Sequence, residues 1–257
     1  ARVDAAGLLD PDFNPDADKP VSSVALEADG RILLSGGFTS VGGTSRNGIA
    51  RLDAAGLVDA SFNPNANDAV LSMGVQADRR ILLGGHFTSL GGTARNHIAR
   101  VNADGTLDAG FNPDANSWVN SVAVQADGGI VFGGGFTSVG GTAHNYISRV
   151  DAAGLLDAGF NPDASNYVLS VGAQADGRIL LGGYFTSIGG IARNRFARLV
   201  NDPATQTLSA PDATQVTWTR GGTSPEVSQV TFEKSMDGGA NWTQLGSGTR
   251  IGSTPNW

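Results

Sequence analysis

The chain has 257 residues and a net charge of −7, with no cysteine and only two lysines, Lys19 and Lys234. This composition excludes disulfides, thiolate metal sites and cysteine nucleophiles, and it leaves no basic stretch able to track a phosphate backbone, so nucleic acid is not an expected partner. No apolar run approaches the roughly 20 residues that cross a bilayer as a helix, so membrane insertion is not expected either.

The chain opens in mid-repeat. Ala1-Arg2-Val3-Asp4 matches Ala50-Arg51-Leu52-Asp53, which reads as a half-unit (residues 1–12) of something longer. Phe13-Asn14-Pro15 then returns as Phe62-Asn63-Pro64, Phe111-Asn112-Pro113 and Phe160-Asn161-Pro162, each 49 residues on. Phe38-Thr39, Phe87-Thr88, Phe136-Thr137 and Phe185-Thr186 keep the same register, so four complete units follow the half-unit.

Each unit reads as four short strands. In the third, Val119 to Gln125 alternates and stops at Asp127-Gly128, a tight-turn signal. Gly129 to Phe136 is the second strand, Tyr146 to Asp151 the third beyond a Ser-Val-Gly-Gly-Thr loop, and Leu155 to Phe160 the fourth. No helical period is sustained over ten residues. The predicted fold is therefore all-β, a β-propeller of 49-residue four-stranded blades over residues 1–201, followed by a small β segment. A β-solenoid is the alternative, although its coils are usually shorter.

Most recurrent polar residues have a constructional reading. Arg2, Arg51, Arg100, Arg149 and Arg198 share one position, where a planar guanidinium can join a carboxylate or backbone carbonyls between blades. Asn47, Asn96, Asn145 and Asn194 are expected to cap loops, and Asp29, Asp78, Asp127 and Asp176 to hold their own turns.

Two sets stand apart. Oxygen-bearing side chains alternate after each Phe-Asn-Pro: Asn14, Asp16 and Asp18 in the first unit, Asn112, Asp114 and Asn116 in the third. Such a series can wrap calcium, which takes six to eight oxygens, or can form Asx-turns with no cofactor at all. The second set varies where the rest is copied: Pro20, Ala69, Trp118 and Tyr167 at one position, Gly48, His97, Tyr146 and Arg195 at another. Trp118, Tyr167, His97, Tyr146 and Arg195 are thus the candidate ligand-binding residues, suited to a sugar ring or a protein anchor. The three histidines, His86, His97 and His144, fall at different repeat positions and suggest no shared metal.

Residues 202–257 leave the repeat. Gln215 to Arg220 and Val227 to Glu233 alternate on their own, and Ser235 to Trp242 fits the Ser-x-Asp-x-Gly-x-x-Trp hairpin known as the Asp-box. The segment reads as part of a fibronectin type III-like sandwich, or as strands that complete the N-terminal half-blade.

Taken together, the FNP, ADGRILLGG, FTS-GG and RN-IAR-DA-G elements resemble the delta-60 repeat, a bacterial family, from residue 1 to about 200. That resemblance implies a propeller in an exported or cell-surface setting, and it brings no catalytic residues. The expected function is a non-catalytic binding or scaffold module with a glycan or protein partner, or with other chains completing the ring. The alternatives are a carbohydrate-active enzyme of Asp-box type and a calcium-stabilised structural repeat.

Overall fold

The structure is a computed structural model that describes residues 2–212 and 214–257. It is all-β and built on four copies of one unit, as the repeat predicts. In the third, Val119–Val124, Ile130–Gly134 and Ile147–Val150 form an antiparallel sheet with the second strand in the middle. The predicted loop between them folds back as a hairpin, Ser138–Val139 on Thr142–Ala143. The outermost strand, Leu155 to Phe160, is reduced to one bridge between Val150 and Leu156. Beyond it the chain turns inward to bury Phe160.

The blades stack face to face. First strands Val21–Leu26, Val70–Val75, Val119–Val124 and Val168–Ala173 lie side by side, and Ser72 and Ser121 hydroxyls accept the Val122 and Val171 amides of the next blade at 3.2 and 3.1 Å. Middle strands are covered on both faces, so Ile81–Gly85 is buried throughout instead of alternately. The core accordingly forms one layer per blade junction. Leu82 and Ile98 of blade 2 pack with Val119, Val122, Ile130 and Phe132 of blade 3.

The repeated arginine bolts these layers together. Arg100 donates from Nε to Asp108 (2.8 Å) and from Nη1 to the Ala152 carbonyl of the following blade (2.6 Å), with its guanidinium 4.4 Å from the centre of the Phe111 ring. Arg51 repeats all three contacts with Asp59, Ala103 and Phe62. Arg149 repeats the contacts with Asp157 and Phe160, but its Nη1 donates to the Asn201 side-chain oxygen in place of a backbone carbonyl.

These carboxylates tie stability to pH. The Ser61 hydroxyl and the Arg51 guanidinium hold Asp59 at about 2 despite partial burial, and the Thr39 hydroxyl with the Ser40 and Thr39 amides holds Asp18 at about 2. Both lie below the ordinary aspartate value of about 4, so the native state is favoured above that pH. That contribution is lost as pH falls towards 2. A melting temperature flat above about pH 4.5 and dropping steeply from 4 to 2 is the expected profile.

The C-terminal segment makes two hairpins, Ala204–Asp212 with Gln215–Gly222 and Thr231–Lys234 with Thr243–Ser247. It lies across the turns that join first to second strands. The Ala126 and Asp127 amides donate to the Ser224 and Gly222 carbonyls, and the Glu226 amide donates to the Val124 carbonyl.

Candidate functional site

The opposite face, where the first strands begin, carries the residues that break the repeat. A six-residue strand spans roughly 20 Å, so this face is well separated from the C-terminal segment. Trp118 immediately precedes the first strand of blade 3 and Tyr167 that of blade 4. Their rings meet edge to face at 5.6 Å, and Tyr146 meets Tyr167 at 5.5 Å. His86 of blade 2 extends the row, 5.9 Å from Trp118. The result is a continuous aromatic rim over three blades.

Local backbone geometry explains how the rim is held. A Cβ on Gly135 would lie 2.4 Å from the Trp118 indole, so the absence of a side chain there makes room for the ring. His97, Tyr146 and Arg195 all adopt left-handed backbone, with φ of 64°, 65° and 66°. Such strain in a bulky residue is tolerated where the surroundings enforce it, and it concentrates at functional positions. Gly48 occupies the same position and conformation in blade 1.

Of the five predicted residues, the structure brings Trp118, Tyr146 and Tyr167 into direct contact. His97 is half-buried beside the row, with Nδ1 3.3 Å from the Gly85 carbonyl, and burial holds its pKa below the usual imidazole value. Arg195 is exposed on blade 4 and joins none of these ring contacts. Two further residues of this face, His86 and the 58% exposed Tyr184, are absent from the sequence-based set. Both stand at the position of Gly37 and Gly135, so the 49-residue comparison contains their signal. His144 is buried elsewhere, its Nδ1 3.3 Å from the Ser148 hydroxyl.

The Asx loops are ordered by their own hydrogen bonds. Asp18 accepts from the Thr39 amide and hydroxyl and the Ser40 amide. Asn116 caps Thr137 and Ser138 in the same way. Asp114 accepts from Asn96 Nδ2 at 2.8 Å, and both Asp16 and Asp114 take left-handed backbone. No group of three or more histidine, cysteine, aspartate or glutamate side chains suited to a metal occurs among the described residues. With the Asp18, Asp114 and Asn116 oxygens engaged in these bonds, a melting temperature unmoved by EDTA is expected. A fall of several degrees would show instead that calcium bridges Asn14, Asp16 and Asp18 or Asn112 and Asp114.

The Asp-box closes on itself. Ser235 Oγ accepts from Gly239 N, and Asp237 accepts from the Ser235 hydroxyl and from the amide and side chain of Asn241. Trp242 lies against the same turn. It is 62% exposed and donates from Nε1 to the Gly239 carbonyl.

A family model described as "Domain of unknown function (DUF5122) beta-propeller" matches residues 27–62, 76–111, 125–160 and 174–202, more than half of the chain. The chain belongs to this family. No curated protein matches it. Among solved structures it is similar to the WD40 β-propeller domain of Doa1, at 15% identity and a TM-score of 0.47 over 64% of this chain and 48% of that one. It is also similar to the extracellular domain of a putative one-component system from B. thetaiotaomicron, at 16% identity and a TM-score of 0.45 over 70% of this chain and 23% of the other. A third is the extracellular domain of a putative hybrid two-component system from the same organism, at 12% identity and a TM-score of 0.42 over 93% and 35%. The chain thus spans about half or less of the length of these structures. Each matched stretch begins just after the first strand of a blade, so His86 and Tyr146 lie within the matches and Trp118 and Tyr167 between them.

Proposed function

We propose that this DUF5122 propeller is a non-catalytic binding module that takes a glycan on the aromatic rim of blades 2 to 4. One observation carries the reading. Where near-identical blades differ, the differences supply His86, Trp118, Tyr146 and Tyr167, whose rings form one connected row. Aromatic rings present an apolar face at little conformational cost, and they suit the C–H face of a sugar. The neighbouring His97 and Asn145 offer polar groups beside it. A non-catalytic role is supported by the Asp-box, whose Ser235 and Asp237 are engaged within their own turn. We place the module on an exported or cell-surface protein, a setting in which a cysteine-free fold held by arginine bolts is indifferent to redox conditions.

A glycan array probed with the purified chain tests the proposal. At least one glycan class should bind, and Trp118→Ala should weaken it about tenfold or more, as for a central aromatic anchor. Binding of no glycan, with a protein captured through the same rim, would replace this reading with a protein-docking one.

A further inference from the structure

A second departure from the repeat lies at the other end of the blades. The residue just before the middle strand is Arg31, Arg80 and Arg178 in blades 1, 2 and 4, but Gly129 in blade 3. Where the arginine is present, aspartates of its own blade hold it. Arg80 donates from Nε to Asp78 at 2.7 Å and from Nη1 to Asp108 at 3.1 Å, so it ties the turn to the outer end of the blade. Arg31 lies 2.7 Å from Asp29 and 3.8 Å from Asp59, and Arg178 donates to Asp176 at 2.6 Å. Blade 3 keeps both carboxylates of this bridge, as Asp127 and Asp157, but not the arginine.

The missing side chain leaves an acidic space that solvent reaches. A cavity of about 380 Å³ is lined by Asp127, Gly129 and Asp157, together with Arg149, Asp151 and Asp202, so four carboxylates surround one guanidinium. Its volume lies within the roughly 300–1,000 Å³ of small-molecule sites. Asp127 is exposed. Its Oδ1 accepts the Gly129 amide at 2.8 Å, and it pairs with no cation among the described residues. Asp157 Oδ2 is met by Arg149 alone, whereas the same atom of Asp108 takes both Arg100 and Arg80. Without a second guanidinium the Asp157 side chain is 33% exposed, against 17% for Asp108 and 21% for Asp59.

We propose that this space in blade 3 binds a guanidinium from outside the chain, the arginine side chain of a protein partner. The sibling blades supply the template. A planar guanidinium donates from two edges, so it can meet Asp127 and Asp157 together, as Arg80 meets Asp78 and Asp108. A lysine ammonium is a compact point charge and cannot span the pair in this way. The surplus of carboxylates also repels a ligand that carries one of its own, which favours an arginine within a peptide chain over the free amino acid. Arginine is among the residues that most often anchor protein interfaces. The assignment is independent of the aromatic rim, which lies at the other end of the first strands.

Calorimetric titration of the whole chain tests it, with an end-capped Gly-Arg-Gly peptide, its Gly-Lys-Gly counterpart and free L-arginine. The arginine peptide should bind about tenfold or more tightly than either of the others. Asp127→Asn keeps an acceptor for the Gly129 amide and should weaken the arginine peptide by about tenfold or more. Gly129→Arg supplies the guanidinium from within the chain, so it should abolish binding and melt no lower than the parent. The atoms nearest an added Cβ there are the ends of the Gln125 and Asp127 side chains, at 2.9 and 3.0 Å, and both can turn aside. Trp118→Ala should bind the peptide as the parent does. An arginine peptide that fails to bind, that binds no better than the lysine peptide or free arginine, or that keeps its affinity in both blade 3 variants would overturn the proposal. So would a Gly129→Arg chain that melts well below the parent, or binding lost in Trp118→Ala, which would belong to the rim.

Discussion

Replacing Arg100 by alanine is expected to lower the stability of the chain by about 3 kcal/mol in urea unfolding. Arg100 is 3% exposed and makes contacts of three kinds: an ion pair with Asp108 at 2.8 Å, a hydrogen bond to the Ala152 carbonyl at 2.6 Å, and stacking on Phe111 at 4.4 Å. Truncation takes the closest of the guanidinium donors from Asp108, which keeps Arg80 at 3.1 Å, leaves the Ala152 carbonyl without its donor, and opens space beside a fully buried ring. Lysine should not rescue the loss, because an ammonium cannot reproduce the planar fork that serves Asp108 and Ala152 together. Arg198 occupies the same repeat position but is exposed, so Arg198→Ala should stay within about 0.5 kcal/mol of the parent. Equal effects at the two positions would mean that the bolts between blades contribute little.

Gly134→Ala is expected to be comparably damaging, by about 3 kcal/mol. Gly134 faces Val119 just before the register shift at Asn120, and a Cβ there would lie 2.1 Å from the Trp118 carbonyl oxygen and 3.0 Å from Val119 Cα. Both obstacles are backbone, so no rotamer change relieves them. The same approach recurs at Gly36, Gly85 and Gly183, with the carbonyls of Pro20, Ala69 and Tyr167 2.1–2.2 Å from the added atom. Because the displaced carbonyl belongs to Trp118, the variant should also disturb the rim. Unfolding would report the loss of stability, and near-ultraviolet dichroism of the remaining folded fraction would report a changed tryptophan environment. A variant that melts like the parent would show that the bulge can open at little cost.

Much of this fold is legible in the amino-acid sequence because the 49-residue step aligns equivalent residues of successive blades. The first and middle strands, the Asp-Gly turns and the bridging arginines all follow from it. The hairpin at Ser138–Ala143 is not legible, since two-residue arms are too short to show alternation. The fourth strand is overstated by its strand-like composition from Leu155 to Phe160, while Phe160 must leave the sheet to reach the core. For the rim, aromatic identity at positions 118, 146 and 167 is visible. The contact of His86 with Trp118 is not, because it crosses from blade 2 to blade 3 and depends on blade packing. The docking of the C-terminal segment on blades 1 and 2 escapes for a related reason. Residues 204–257 do not repeat, so nothing in their sequence places Trp257 beside Glu27 and Arg79.

The central claim, that the aromatic rim is where this propeller binds, rests most directly on one titration. The glycan with the strongest array signal should be titrated calorimetrically against the parent chain and against Trp118→Ala/Tyr167→Ala, after both are shown to melt alike. The account predicts saturable binding to the parent and a loss of a hundredfold or more, on the order of two central anchors removed together, in the double variant. Equal affinity in the two proteins would contradict it.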